Sequence, residues 1–502
     1  MNLKALLDIP LPWETPCSEI PDKEVDRVCD DSRHVSSGAM FIAVEGAISD
    51  GHNYLLSAYN LGCRVFAVQK YSGELPDDAF VAVFEDSRKA LALLSARILG
   101  EPAKKLKLIG LTGTKGKTTT ALMLQRILCE CGINTGYIGS NGVKYGGVSL
   151  PDTKNTTPGS LELNRYLSDM VHAGVTHAVL EVSSQALYMN RVYGIEFDTV
   201  IFTNIGRDDH IGGAEHPTFE HYVECKRTLF FDHGAKNMVC NADDEFCESM
   251  IPPHLRPIRV SLKGNGDFNG SNVDFFNGDG VLGVTAVCAT PDMNVNVMLP
   301  IPGYFNVMNA MCAVAAATCY GIKPLRAFGI LKSTFIEGRF ECVPVANDRI
   351  FVIDFAHNGM ALRSVLNALK EYEPKRLICV FGSVGGRTYG RRKALGDVAA
   401  EMCDIAIITA DDPNFEPPAS IAKDILPSFE NSKCVAIEID DREQAIKYAL
   451  AQSREGDVVL FAGKGHENFQ LIQGVRVMFS ERELIKKYKE VSPAVIPTAV
   501  KE

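Results

Sequence analysis

Short apolar runs alternate with helical patterns along most of the chain. Between Asp30 and about Leu99 the strand-like runs are AMFIAV, RVFAVQ and AFVAVFED, and this segment ends near Gly100-Glu101-Pro102. Alternating strands and helices are typical of α/β domains. The pattern therefore predicts a first, smaller α/β domain, which we assign to residues 1–104.

A second stretch of alternation begins at the run LKLIGLTG. It continues through THAVLEV (176–182) and DTVIFTN (198–204), which helical patterns separate. Strands separated by helices predict βαβ units and a parallel sheet. Residues 262–300 are dense in Gly, Asn and Asp and predict antiparallel hairpins before a helix at 305–320. We assign residues 105–336 to this central domain.

The alternation restarts after Gly338 with five apolar strands, each followed by a helical pattern. The strands are FVIDFA, RLICVFGS, DIAIITAD, VAIEI and DVVLFAG. Helices are predicted to end at about Glu371 and to cover 391–402 and 441–454. The pattern predicts a doubly wound, Rossmann-like third domain at residues 337–502. The expected fold class is thus α/β with three domains.

The composition excludes several classes of protein. At 502 residues, with 46% apolar and 23% charged residues, the chain has the profile of a globular protein of about three domains. Its 51 Lys and Arg against 62 Asp and Glu give a net charge of −11. This excess of acidic residues argues against generic affinity for nucleic acid or an anionic membrane, so neither partner is expected.

The cysteines and apolar segments indicate a cytoplasmic protein. The fifteen cysteines are scattered without repeated CxxC pairs, which is typical of reduced thiols and makes a zinc site unexpected. Residues 1–20 carry acidic residues and prolines where a signal peptide needs an apolar run. The longest apolar stretch, VMNAMCAVAAATCYG (307–321), is too short to span a bilayer and predicts a buried helix.

The segment LIGLTGTKGKTTT (108–120) looks like a phosphate-binding loop, although it misses the usual glycine spacing by one residue. A helix is predicted from about Lys117, and unpaired N–H groups at a helix start favour phosphate. Lys117 is expected to reach the terminal phosphates of a nucleotide, and Thr118 or Thr119 to bind Mg²⁺. The alternative is a glycine-rich turn with a surface lysine.

Three further residues of the central domain are candidates for chemistry. Glu181 lies at a strand end, where a carboxylate can hold magnesium, although alone it is an ordinary strand-end glutamate. His210, in RDDHIGG after Asn204, is a candidate for a second metal or a phosphate contact, or else a surface histidine. Lys226, in the helical pattern EHYVECKRTLF, is by default a solvated lysine.

The third domain carries polar motifs at or just beyond its strand ends. They are GRFE (338–341), DFAHN (354–358), GSVGGRTYGRR (382–392), ADDPN (410–414) and GKGHE (463–467). Each motif alone could be a turn or a helix cap. Because the carboxyl ends of parallel strands share one edge, their common placement predicts a site there.

These motifs, in this order, resemble those of the Mur ligases, the ATP-dependent amide-forming enzymes of bacterial cell-wall synthesis. TGTKGKTTT matches the nucleotide loop of that family, which accounts for its spacing. The resemblance covers nearly the whole chain through the motifs DSR, TTP, EVSS, the RDDH region, YFNVMNA, GRFE, DFAH, GGR and GKGHE. The DSR, EVSS and GKGHE elements look most like the branch that adds the third amino acid.

The resemblance implies a role for individual residues. Ser32 would hold the uridine nucleotide, and the rest of the UDP-muramoyl dipeptide would contact Thr156, Thr157, Ser184 and Arg191. ATP would contact Thr112, Gly113, Thr114, Lys115, Gly116, Lys117 and Thr118 of the loop, and Asn309, Arg339, Asp354 and His357. Two magnesium ions would involve Thr118, Glu181, His210 and a carbamylated Lys226. Lys117, Lys226 and His210 would form the catalytic set.

The resemblance also implies the reaction. The D-glutamate side-chain carboxylate of UDP-N-acetylmuramoyl-L-alanyl-D-glutamate would attack the γ-phosphate of ATP, and an amine would then displace phosphate from the acyl phosphate. Two departures from the family are Gln185, where histidine is common, and the extra aspartate of RDDH. A monomer is expected.

The identity of the added amino acid is predicted from one position. Members that add diaminopimelate carry arginine in the fourth place of a DNPR motif, where its fork binds a carboxylate. This chain has Asn414 there, which predicts L-lysine; meso-diaminopimelate is the alternative. Arg387 would bind the α-carboxylate, and the remaining contacts would come from Gly463, Asp411, Asp412 and Glu467.

Three other functions compete with this one. A folylpolyglutamate synthase shares the fold and the acyl-phosphate chemistry but would lack a uridine-binding first domain. A P-loop NTPase switch or kinase would leave the third domain and GKGHE unexplained. A non-catalytic binding module would leave Lys117, Glu181 and His210 without a role.

Overall fold

The computed structural model describes residues 1–46, 49–150, 153, 155–206, 215–346, 348–386 and 389–489. They fall into two units. The N-terminal unit consists of Met1–Ala121, Leu128–Cys240 and Asp244–Pro257, and the C-terminal unit of Leu122–Ile127, Asn241–Asp243 and the described residues from Ile258 onward. The domain boundaries assigned after residues 104 and 336 stay a prediction.

The N-terminal unit begins with a five-stranded sheet. Its elements are α1 (Leu3–Leu7), β1 (Trp13–Glu14), β2 (Arg27–Cys29), β3 (Ala39–Ile42), α2 (Leu55–Asn60), β4 (Val65–Val68), β5 (Phe80–Phe84) and α3 (Ser87–Ile98). In the order β1-β5-β4-β3-β2, only the β1–β5 pair is antiparallel. The three predicted strands, β3, β4 and β5, are confirmed. Strands β1 and β2 are too short to leave a periodic pattern in the sequence.

The same unit contains most of a second group of elements around a mainly parallel sheet; within these elements, Leu122–Ile127 and Asn241 belong to the C-terminal unit. Its elements are β6 (Lys107–Thr112), α4 (Lys117–Glu130), β7 (Thr135–Gly139), β8 (Gly142–Tyr145), β9 (Val148–Leu150), α5 (Ser160–His172), β10 (His177–Glu181), α6 (Ser184–Tyr188), β11 (Thr199–Phe202), α7 (Phe219–Phe231) and β12 (Asn237–Asn241). Strands β12-β11-β6-β10-β7 are parallel in that order, and β8 and β9 extend β7 antiparallel. The predicted βαβ units are confirmed, and the carboxyl ends of β6, β10 and β11 share one edge.

The C-terminal unit starts with hairpins and a buried helix. Its first elements are β13 (Ile258–Ser261), β14 (Phe268–Gly278), β15 (Val281–Ala289), β16 (Asn294–Leu299), α8 (Phe305–Thr318) and α9 (Pro324–Leu331). Strands β14, β15 and β16 pair antiparallel, as predicted for residues 262–300. Helix α8 is buried over nearly all of its length, which confirms the prediction for the longest apolar stretch. No helix among the described residues combines the length and the apolar character needed to cross a membrane.

The remaining elements form the doubly wound sheet predicted for the third domain. They are β17 (Glu341–Cys342), β18 (Ile350–Asp354), α10 (Gly359–Lys370), β19 (Leu377–Phe381), α11 (Tyr389–Met402), β20 (Ile405–Ile408), α12 (Pro418–Ile425), β21 (Val435–Glu438), α13 (Arg442–Gln452), β22 (Val458–Ala462), β23 (Phe469–Ile472), β24 (Val475–Met478) and α14 (Glu481–Tyr488). The order is β17-β18-β22-β19-β20-β21, with β17 antiparallel to a parallel core. Strands β23 and β24 form a separate hairpin. All five predicted strands are present, so their polar ends share one edge.

Candidate active site

The glycine loop after β6 is held by the residues that follow β11. A Cβ atom on Gly113 would lie 1.9 Å from Thr203 Oγ1, a clash that only glycine avoids. Thr114 N donates to Asn204 O at 2.8 Å, and Lys115 N donates to Asn204 Oδ1 at 2.9 Å. The loop therefore has a fixed backbone shape and leads directly into the N-terminus of α4, where N–H groups favour an anion.

Two lysine ammonium groups meet on one carbonyl oxygen of this loop. Lys117 Nζ donates to Gly113 O at 2.6 Å, and Lys226 Nζ donates to the same oxygen at 2.9 Å. Lys226 is only 1% exposed, and its ammonium lies 4.5 Å from the centre of the Tyr222 ring, whose face attracts cations. The reading of Lys226 as a solvated lysine is therefore wrong, because α7 turns it toward the loop. Two positive charges at one point favour a bound anion.

The carboxylate of Glu181, at the end of β10, is fully buried and accepts hydrogen bonds on both oxygens. Thr118 Oγ1 donates to Oε2 at 2.9 Å, whereas Tyr137 OH donates to Oε1 at 2.5 Å and Ser140 N donates to Oε1 at 3.1 Å. Of the two candidate threonines, Thr118 rather than Thr119 makes this contact. A hydroxyl oxygen beside a carboxylate is the type of hard ligand that Mg²⁺ takes, so the donor set fits magnesium at Thr118 and Glu181.

The TTP segment lies against the end of β10. Thr157 Oγ1 donates to Glu181 O at 2.8 Å and accepts from Ser183 N at 3.0 Å. Thr156 Oγ1 lies 3.1 Å from Ser140 Oγ, so one hydroxyl is linked to the residues that hold the Glu181 carboxylate. The structure thus brings these two predicted substrate residues next to the candidate metal ligand.

Arg191 and Ser184 are placed by neighbours that the motifs did not single out. The Arg191 guanidinium donates to Thr157 O at 2.9 Å and to Gln185 Oε1 at 3.3 Å, and burial lowers the pKa of Arg191. Gln185 thus orients the arginine where the family commonly has histidine. Ser184 Oγ lies 2.9 Å from Nε2 of His216, a fully buried histidine.

Ser32 lies in a 3₁₀ helix (Ser32–His34) after β2. The side chain of Asp31 accepts from Arg33 N at 3.0 Å and from the Arg33 guanidinium at 2.6 Å. These hydrogen bonds hold the pKa of the Asp31 carboxyl below its usual range. The DSR motif is thus a turn closed by hydrogen bonds of Asp31, and the contact of Ser32 with a uridine nucleotide stays a prediction.

In the C-terminal unit, the GRFE and GKGHE turns pack directly on each other. Gly338 has a φ of 67°, and a Cβ atom on it would lie 2.0 Å from His466 N. The Arg339 guanidinium lies 4.8 Å from the centre of the Phe355 ring. Asp354 Oδ2 accepts from Phe340 N at 2.8 Å. The close approach of the turns explains why glycine is needed there.

The other two predicted ATP residues of this unit are also tied to nearby polar groups. His357 Nδ1 lies 2.9 Å from Phe355 O. Asn309, buried on α8, donates to Asn306 Oδ1 at 2.8 Å. Their roles in ATP binding stay predictions.

A buried lysine joins the ADDPN and GKGHE motifs. Lys464 Nζ lies 2.8 Å from Asp412 Oδ1, 2.7 Å from Glu467 Oε2 and 3.8 Å from Asp411 Oδ1. Burial raises the pKa of Glu467 to about 7 and also raises that of Asp411, although Lys464 opposes both shifts. A Cβ atom on Gly463 would lie 2.7 Å from Asp411 Oδ2. The motif analysis missed Lys464 as the centre of this cluster.

Asn414 belongs to a turn that supports the β23–β24 hairpin. Its backbone is left-handed, with a φ of 51°, which asparagine tolerates better than most residues. Asn414 N donates to Leu471 O at 2.8 Å, and Asn414 Oδ1 accepts from Gly474 N at 2.9 Å. The side-chain amide therefore has a structural partner in addition to any contact with a substrate.

Two predicted site residues, His210 and Arg387, lie outside the described residues. Their roles in binding a metal and an amino-acid carboxylate stay predictions.

Comparison with known proteins identifies similar chains. The family model described as the Mur ligase middle domain matches residues 111–317, and the one described as Mur ligase, glutamate ligase domain, matches residues 338–465. The UDP-N-acetylmuramoyl-L-alanyl-D-glutamate--2,6-diaminopimelate ligase of Clostridium botulinum is 36% identical over 93% of this chain and 95% of its own length.

Two solved structures show the same fold. A UDP-N-acetylmuramoyl-L-alanyl-D-glutamate--2,6-diaminopimelate ligase superposes with a TM-score of 0.68 at 27% identity, covering 98% of this chain and 99% of that one. The folylpolyglutamate synthase of Mycobacterium tuberculosis, complexed with ADP and AMPPCP, gives a TM-score of 0.57 at 15% identity. The superposition covers 75% of this chain and 92% of the synthase chain.

The loop geometry predicts the effect of one added methyl group. Gly113→Ala should weaken Mg·ATP binding by at least about tenfold, equivalent to about 1.4 kcal/mol, because the new Cβ forces the loop away from Thr203. Isothermal titration calorimetry measures the change in Kd. The control is Gly329→Ala on α9, where nothing lies within 4 Å of the added Cβ. An unchanged Kd in a folded Gly113→Ala variant would contradict the role assigned to the loop.

Proposed function

Because the chain belongs to the Mur ligase family of ATP-dependent amino-acid ligases, we propose that it extends the cell-wall precursor UDP-N-acetylmuramoyl-L-alanyl-D-glutamate by one amino acid, L-lysine. The observation that carries the proposal is the network at the end of β10. There the oxygens of Glu181 and Thr118, which suit a metal ion, lie beside Lys117 and the N-terminus of α4, which suit an anion. Such a site suits the activation of a carboxylate by Mg·ATP.

The reaction forms and breaks two bonds in turn. An oxygen of the D-glutamate side chain attacks the γ-phosphorus, and the bond to the β–γ bridging oxygen breaks, which releases ADP. The neutral amine of the amino acid then attacks the acyl carbon, the C–O bond to phosphate breaks, and the nitrogen loses a proton. Positioning and charge neutralisation supply most of the catalysis in such transfers.

Individual residues of the site have separate roles in this proposed reaction. The loop N–H groups and Lys117 bind the phosphates, and Thr118 with Glu181 would hold magnesium, which neutralises phosphate charge when bound. Tyr137 and Ser140 fix both oxygens of Glu181, so the carboxylate keeps its orientation during the reaction. His210 is proposed as a ligand of a second magnesium ion on the resemblance alone.

Carbamylation of Lys226 is part of the proposal. An unmodified Lys226 places a second positive charge 2.9 Å from Gly113 O, the oxygen that Lys117 also contacts, and two like charges at one point repel each other. Nζ loses one proton, the neutral amine adds CO₂, and a second proton leaves, so that an anion with two oxygens, which suits magnesium, replaces the cation. The Tyr222 ring and the burial of the side chain support a fixed position for this group.

Carbon-13 NMR tests the carbamate directly. Enzyme equilibrated with carbon-13 bicarbonate should show one carbamate carbonyl resonance, and Lys226→Arg should abolish it, because a guanidinium does not form a stable carbamate. Lys236→Arg, at a mostly exposed lysine, should leave the resonance unchanged. A wild-type spectrum without the resonance, or one in which Lys226→Arg retains it, contradicts the modification.

L-Lysine is favoured over meso-diaminopimelate by the charges around ADDPN. Asn414 is neutral, and its Oδ1 accepts from Gly474 N, so it cannot replace an arginine fork that binds a second carboxylate. Lys464 is already paired with Asp412 and Glu467. The carboxyl groups of Asp411, Asp412 and Glu467 outnumber the one ammonium group of Lys464, which favours an amino acid with a cationic side chain.

meso-Diaminopimelate is the second candidate, because relatives 36% identical to this chain are named as diaminopimelate ligases. A folylpolyglutamate synthase-like activity is less well supported, since that likeness covers 75% of the chain at 15% identity. A P-loop switch would hydrolyse ATP without any amino acid, which a phosphate-release assay would detect.

Assays with purified enzyme distinguish the two amino acids. With UDP-dipeptide and ATP, we expect a higher kcat/KM for L-lysine than for meso-diaminopimelate. Asn414→Arg should shift the ratio toward meso-diaminopimelate by roughly 10–100-fold, because a hydrogen bond to a charged group contributes about 1.5–3 kcal/mol. Asn414→Ala removes the Gly474 contact without adding charge and is the matched control. Faster wild-type turnover with meso-diaminopimelate would reject L-lysine.

A further inference from the structure

Two histidines and a cysteine come together beside the candidate substrate residues of the N-terminal unit. His221 and Cys225 are one turn apart on α7 and therefore share a helix face. His216 precedes the helix and approaches the same face. His216 Nδ1 lies 3.0 Å from His221 Nδ1, which lies 3.8 Å from Cys225 Sγ. All three donor atoms lie within 4.8 Å of one another.

The three side chains are held in place by their surroundings. His216 is fully buried, Cys225 is 8% exposed, and His221 is half-buried. The rings of Tyr222 and Tyr188 pack edge-on against His216 and His221, with centres 5.3 and 4.9 Å away. Little side-chain freedom would be lost if these groups bound a common ligand.

The donor types and spacing match one class of metal ion. Two imidazoles and a thiolate are characteristic ligands of zinc. Tetrahedral zinc with ordinary bond lengths separates its nitrogen and sulfur ligands by about 3.3–3.6 Å, and the observed 3.0 and 3.8 Å lie on either side of that range. We propose that His216, His221 and Cys225 bind one zinc ion, with water or a substrate group as fourth ligand.

The ligand atoms of this cluster differ in chemistry from the oxygen donors assigned to magnesium. Thr118 and Glu181 offer only hard oxygen ligands, whereas the cluster offers nitrogen and sulfur, so the two sites select different metals. The spacing H-x₄-H-x₃-C contains no CxxC pair, which is why the sequence predicted no zinc. A helix turn and a loop, rather than a short motif, bring the donors together.

Zinc binding would also orient Ser184. With Nδ1 of His216 bound to the metal, the ring proton must be on Nε2, which then donates to Ser184 Oγ over 2.9 Å. The Ser184 hydroxyl would accept this bond and keep its own proton for another acceptor. This consequence rests on the proposed function, in which Ser184 contacts the UDP substrate; zinc binding itself does not.

Cobalt substitution tests the site without any activity measurement. Full-length protein freed of metal by a chelator is titrated with Co²⁺, and the wild type should bind one equivalent with a thiolate-to-cobalt charge-transfer band. Cys225→Ser should abolish the band. Cys225→Ser and His221→Asn should each weaken zinc binding by more than the ~10–100-fold typical for loss of an outer-shell partner. Cys129→Ser, at an exposed cysteine, should match the wild type.

Several outcomes would overturn the proposal. They are the absence of a saturable charge-transfer band in the wild type, its persistence in Cys225→Ser, and unchanged zinc affinity in His221→Asn. Circular dichroism of the metal-free variants checks that they fold. If Cys225→Ser does not fold, the zinc affinity of His221→Asn, at a half-buried position, tests the proposal instead. Cobalt at the oxygen donors of the magnesium site gives no thiolate band, so failure here would leave the ligase proposal intact.

Discussion

The candidate site of the N-terminal unit depends on one constraint, the burial of the Glu181 carboxylate. A charged group that is fully removed from water must be compensated by hydrogen bonds or a cation. Thr118 from the start of α4, Tyr137 from β7 and Ser140 after β7 provide those bonds. Because these donors come from α4 and from β7 with the residues after it, satisfying one carboxylate links the start of the helix after the glycine loop to a neighbouring strand.

Much of the fold could be predicted from the sequence because its signals are local. Apolar strands such as β18, β19 and β22 are buried on both faces, so they appear as continuous hydrophobic runs. The glycine loop was recognised because strand, glycines and helix follow one another directly. The two-residue strand β1 pairs with β5 across a long stretch of chain and leaves no local pattern.

The site residues that could not be predicted depend on tertiary contacts. Lys226 has neighbours in sequence that suggest a surface helix, and its burial comes from the loop 113 residues away. Lys464 stands inside the GKGHE motif with Glu467, but its pairing with Asp412 depends on two strand ends that come together only in the folded sheet. The sequence predicted no role for His216. The signal that could have suggested it is the His221 and Cys225 spacing of one helical turn.

The central claim is that Mg·ATP activates a carboxyl group at the loop that precedes α4. The most direct measurement traps the acyl phosphate with hydroxylamine in a mixture of enzyme, ATP and UDP-dipeptide without amino acid. The account predicts an ATP-dependent hydroxamate with the wild type and none above background with Lys117→Ala, because the phosphates lose their cation. Hydroxamate formation by Lys117→Ala at the wild-type rate would contradict the account.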